Sequence, residues 1–213
     1  MSTSTNISFI PFNQSSDVIN KLEFFKHETL RGFDTKYNGL CELICNRILI
    51  DDDLGRGRDE SYLKNRITVE RLNKEEIINS HIFDVYSIFH RVIAYLFGIF
   101  PDNIFSCWDQ WNLVDNGGSV NNEILKKGLD RIGDKETLKL EVFRRGCFSL
   151  IGHALLIKKN DNDNYIFFDP NYGEYRGLSF LDLSLKINEV IGYEHASNIF
   201  ITEGANYLNR LGH

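Results

Sequence analysis

The feature that most limits the fold is a change of hydrophobic period partway along the chain. Before residue 137, apolar side chains recur at helical spacing. Val18, Leu22, Phe25 and Leu30 form one stripe, and Leu40, Leu43, Ile44, Ile48 and Leu49 a second. Val85, Ile88, Phe89, Val92, Ile93, Leu96 and Phe97 form a third, with Asp84 as candidate N-cap and Pro101 as its stop. A polar amphipathic helix is expected over 60–79 and a short one over 121–129. The second stripe is expected to end at Asp51-Asp52-Asp53, read as solvated charge. Beyond residue 137 the segments 138–143, 147–158, 165–169, 175–178 and 198–202 read as strands, with one helix over 179–190. The run from Asn160 to Asn164 is a hairpin turn. Helices first and an antiparallel sheet second predict an α+β fold. One domain is expected over 21–213, after a poorly ordered polar leader over 1–20.

Composition removes several function classes. With 213 residues, 42% hydrophobic side chains and three prolines, the chain can bury a single large core. Its 24 basic and 30 acidic residues give a net charge of −6, and no basic tract is present. That balance argues against nucleic-acid binding, which depends on Lys and Arg neutralising phosphates. The longest apolar run, 92–100, is interrupted by Gly98 and falls far short of the ~20 residues that span a bilayer. No membrane insertion is expected, and the first residues lack the charged start and apolar core of a signal peptide. The four cysteines, Cys41, Cys45, Cys107 and Cys147, form no CxxC pair and have no histidine at metal-ligand spacing. Reduced thiols, with no metal and no cofactor, are the expectation.

Three short segments carry residue types that can do chemistry. Cys41 follows the Gly39 turn at the start of the second helical stripe, where the positive end of the helix dipole favours a thiolate. His153 lies in Gly152-His153-Ala154, inside an apolar strand. Asp169 ends the next strand in Phe167-Phe168-Asp169-Pro170-Asn171-Tyr172-Gly173-Glu174, within reach of an imidazole on the adjacent strand. A nucleophile, a base and a group that orients the base are the layout of nucleophilic catalysis. Each residue also has a plain structural reading: a small core cysteine, a satisfied core histidine, and a turn aspartate. Their conjunction, an early Cys followed by His and Asp on a late hairpin, follows the chain order of papain-like enzymes.

The same segments resemble the YopT/AvrPphB family of bacterial effector cysteine proteases. The likeness rests on Gly39-Leu40-Cys41, on Gly152-His153-Ala154 and on the run from Phe167 to Glu174. It implies a papain-like fold, with the helical half packed on the antiparallel sheet. It also implies a Cys41–His153–Asp169 triad that cleaves a host protein. Papain-like enzymes place an amide before the cysteine to bind the oxyanion, and Asn38 is the nearest candidate here. Trp108 and Tyr172 are candidates for lining a substrate cleft. The family context implies secretion by a bacterium into host cytoplasm, and the polar leader resembles the export signals of injection systems. A monomer is expected. Two rivals use the same residues: a glutamine deamidase or acyltransferase, and an inactive binding module on this fold.

Overall fold

A computed structural model describes residues 7–17, 41–53, 61–66, 112–132, 136–144, 152–160 and 164–203. Its centre is a six-stranded sheet, antiparallel throughout: β1 (Ser8–Pro11), β2 (Thr137–Arg144), β3 (Gly152–Asn160), β4 (Asn164–Asp169), β5 (Gly173–Leu178) and β6 (Ala196–Glu203). The spatial order is β1-β5-β4-β3-β2-β6. The described helices are α1 (Gln14–Asp17), α2 (Cys41–Asp53), α3 (Tyr62–Arg66), α4 (Asn122–Arg131) and α5 (Phe180–Glu194). The expected α+β class is the one observed. The third apolar stripe and most of the expected 60–79 helix lie outside the described residues.

Successive strand side chains alternate between the two faces of the sheet, and each face builds its own core. On one face Leu138, Leu140, Val142, Leu155, Ile157, Tyr165 and Phe167 pack beneath Leu125 and Leu129 of α4 and Leu183, Ile187 and Val190 of α5. On the other, Ala154, Leu156 and Phe168 meet Ile44, Cys45, Ile48 and Leu49 of α2, with Tyr62 and Leu63 of α3 alongside. Helix ends are set by local chemistry. Ser179 and Asp182 form a reciprocal capping box at the start of α5, and Asn121 accepts from the Glu123 and Ile124 amides at the start of α4. His195 is the left-handed C-cap of α5 at φ 48°.

Helix α2 is fastened by polar groups, among them the acidic residues expected to be solvated charge. The helix runs through the acidic triplet instead of stopping before it. Asp51 is buried and accepts from the Tyr62 hydroxyl at 2.8 Å. Asp52 accepts from Thr137 Oγ1 at 2.6 Å and from Lys158 Nζ at 3.0 Å. Lys139, fully buried, reaches Asn46 Oδ1 at 3.3 Å and Glu141 at 3.6 Å. Charges become favourable at such positions only when every one finds partners, and these do.

A second correction concerns the leader. Residues 8–17, expected to be loose, are built into the molecule. Ser8 to Pro11 pair with Arg176 to Gly173 as an edge strand, and Ile10 and Phe12 enter the α2-side core. A polar composition concealed a short alternating strand, Ser8-Phe9-Ile10-Pro11, whose buried member is Ile10.

Candidate active site

Helix α2 and strand β3 run in the same direction, and their lengths match. From Cys41 to Asp52 a helix rises about 17 Å, and from His153 to Lys158 a strand advances about 17 Å. The Asp52–Lys158 ion pair at one end therefore brings Cys41 over the start of β3 at the other. Cys41 is the first residue of α2 and is 7% exposed, so its sulfur lies at the positive end of a 13-residue helix. The Cys41 sulfur is near enough to act on the His153 imidazole and favour its protonated form.

Strand pairing brings His153 to Asp169. Leu156 opposes Phe168 in the β3–β4 ladder, so the next step outward faces Leu155 with Asp169. His153 is then the diagonal neighbour of Asp169 on the same face, close enough for long polar side chains to meet. Its Nε2 donates to Asp169 Oδ1 at 2.9 Å, which leaves Nδ1 as the nitrogen for the sulfur. Burial alone would push the imidazole below its ordinary 6.5. Hydrogen bonds to Asp169 and Cys41, with the negative charge at both, overcome that and carry it up to about 10. His153 is 6% exposed and Asp169 1%, so these charges interact with little water between them.

Asp169 is fully partnered. Oδ1 accepts from His153 and also from the Asn171 backbone N–H at 2.8 Å, an Asx turn made by the Asp-Pro-Asn segment. Oδ2 accepts from the Tyr193 hydroxyl, delivered by the last turn of α5. Burial, and then the Asp169 charge, hold the Tyr193 phenol well above its ordinary range, so it remains a donor. Nothing in the local sequence separates Tyr193 from the other tyrosines. It reaches Asp169 only because α5 folds back across β4.

The turn that carries Asp169 is gripped from outside by the N-terminal segment. Gln14 N–H donates to Pro170 O at 2.7 Å, and Phe12 N–H to Tyr172 O at 3.1 Å. The Asn13 amide donates to Asn171 O at 2.7 Å, and Gln14 Nε2 to Asn171 Oδ1 at 2.6 Å. Gly173 makes this approach possible, as its φ is 134° and β1 passes directly over it. Glu174, the last residue of the motif, is fully buried and accepts from Arg176 at 2.7 Å.

Of the residues predicted from sequence, Cys41, His153 and Asp169 come together. Tyr172 stands beside them, 49% exposed, with its ring centroid 5.0 Å from that of Tyr193. Asn38 and Trp108 lie outside the described residues. Cys45, one turn beyond Cys41, is fully buried in the α2 core. Among the described residues, no three His, Cys, Asp or Glu side chains are arranged to hold a metal ion, and no helix is long and apolar enough to cross a membrane.

No protein-family model and no curated protein matches the sequence. Among solved structures, the chain is similar in part to the Pseudomonas avirulence protein AvrPphB, with 18% sequence identity and a TM-score of 0.28. That match covers 36% of this chain and 41% of the other.

Proposed function

We propose that the chain is a papain-like thiol hydrolase that cleaves a peptide bond. The observation that carries this reading is the relay from the Cys41 sulfur through the His153 ring to a fully partnered Asp169. In the reaction, His153 takes the thiol proton and the Cys41 sulfur attacks the substrate carbonyl carbon, forming a C–S bond. The tetrahedral intermediate collapses with cleavage of the C–N bond, and the imidazolium protonates the departing amine. Water, deprotonated by His153, then attacks the thioester and releases the acid, and the sulfur regains its starting state. Asp169 keeps the ring turned so that one nitrogen serves the sulfur, and its charge favours the imidazolium. The Cys41 backbone N–H at the helix start is suited to the oxyanion, with Asn38 as its candidate side-chain partner. Tyr172, on the rim of the site, is the candidate contact for a substrate side chain.

The substrate is proposed to be a host protein, and the setting delivery of a bacterial effector into host cytoplasm, on the motif resemblance. The rival chemistry, deamidation or acyl transfer, also passes through a thioester on Cys41, so products must separate them. Mass spectrometry of host lysate incubated with the protein should reveal new N-termini that are missing when Cys41 is replaced. A one-dalton gain at glutamine without new termini would replace the hydrolase reading with a deamidase.

Asp169→Asn separates the chemistry from the fold. The amide preserves size and turn propensity, and the Asx bond from Asn171 can persist. The charge that supports the imidazolium is lost. Activity should fall on the order of tenfold or more, less than for loss of the sulfur, because papain-like enzymes with Asn in this role retain catalysis. Full activity in Asp169→Asn would reduce the residue to a turn former and leave a Cys–His dyad.

A further inference from the structure

We infer that Tyr193 is a positioning residue of this site, acting on His153 and Cys41 through the second oxygen of Asp169. The inference rests on the hydrolase reading and adds a fourth residue to it. The carboxylate of Asp169 is buried, so each of its oxygens needs a donor of its own. Oδ1 takes the His153 and Asn171 donors, while Oδ2 is held by the Tyr193 hydroxyl. Three donors from three different elements, β3, the β4–β5 turn and α5, leave the carboxylate one orientation. The Tyr193 ring is set in turn by Tyr172, whose backbone N–H donates to the Asp169 carbonyl at 3.0 Å. Tyr172 is thereby tied both to the turn that ends β4 and to the helix that closes over it.

Losing the hydroxyl has two consequences. Asp169 Oδ2 is left buried without its donor, so the carboxylate turns or admits water, and the imidazole is less firmly held. The Asp169 bond that helps hold His153 well above its ordinary 6.5 is also weakened, so the advantage His153 gives Cys41 ends at a lower pH. The groups facing this centre are His153 from β3, with Cys41 of α2 behind it, and Tyr193 from α5. Glu194 and Tyr172 flank Tyr193. A residue that merely filled space would lower the melting temperature and leave the pH profile in place.

The test is the rate of Cys41 alkylation by iodoacetamide against pH, which needs no substrate, measured in wild type, Tyr193→Phe, Asp169→Asn and the double variant. Tyr193→Phe keeps the ring and its contact with Tyr172. It should slow alkylation by roughly tenfold, the scale of one hydrogen bond to a charged group, and the His153-dependent advantage should end at a lower pH than in wild type. Added to Asp169→Asn, it should have little further effect, because the group it acts through has already changed. A Tyr193→Phe curve identical to wild type, or losses that multiply in the double variant, overturns the inference. If Tyr193→Phe also weakens folding, the comparison of Asp169→Asn with the double variant decides it, since both lack the carboxylate contact. Reactive wild-type Cys41 with an unchanged Tyr193→Phe curve overturns this inference alone. A wild-type Cys41 no more reactive than a free thiol overturns the hydrolase reading with it.

Discussion

Cys41→Ala and His153→Ala are each expected to abolish hydrolysis, by at least about a thousandfold, while the protein still folds. Among the described residues, the Cys41 sulfur is the nucleophile at the start of α2, and His153 is the base that interacts with it. Their structural costs differ. Alanine in place of Cys41 leaves a small gap at the end of a helix whose packing is carried by Ile44, Cys45, Ile48 and Leu49, for about 1 kcal/mol. Alanine in place of His153 takes one donor from a buried carboxylate that still has the Asn171 amide and Tyr193, for roughly 1–3 kcal/mol. Activity and melting temperature measured on the same samples check both. If Cys45→Ala is the inactivating change and Cys41→Ala is harmless, the nucleophile has been misassigned.

Gly173→Ala is expected to produce the largest loss of stability. A Cβ there would lie 2.2 Å from the Ile10 carbonyl oxygen and 2.8 Å from the Phe12 nitrogen, both backbone atoms. The residue also holds a φ of 134°, which L side chains rarely adopt. Backbone strain and the contact together should cost about 3 kcal/mol or more. For a chain of this size that lowers the melting temperature by roughly 6–12 °C. Relief comes only by moving β1 away or by shifting the turn that carries Asp169, so activity should fall with stability. Thermal unfolding with an unchanged midpoint would mean that β1 is not packed over this turn.

Much of the sheet was legible because its signals are local. Alternation marked β2 to β6, the Asn-Asp run marked the β3–β4 turn, and the Asp-Pro-Asn segment marked the turn after β4. Cys41, His153 and Asp169 were legible for a second reason: a helix start, a strand start and a strand end are places where function-bearing side chains can face one cleft. What stayed hidden depends on tertiary pairing. Asp51 and Asp52 look solvated along the chain and become buried through Tyr62 and Lys158. The segment 8–17 looks like a polar leader until β5 offers it an edge. Tyr193 sits 24 residues beyond its partner, and no periodicity reports a contact made by a helix folding back over a strand.

The central claim is that Cys41, His153 and Asp169 work as one chemical unit, and alkylation of Cys41 against pH tests it most directly. At about pH 6 an ordinary thiol is almost wholly protonated and reacts slowly. His153, raised to about 10, carries its proton there and stabilises a thiolate beside it; that advantage is present below its folded pKa and is lost as the pH rises through it. Wild-type Cys41 should therefore react at least about tenfold faster than Cys41 in His153→Ala at about pH 6, with Asp169→Asn between them, and the gap should close toward about pH 10. Superimposable curves for the three proteins would contradict the account.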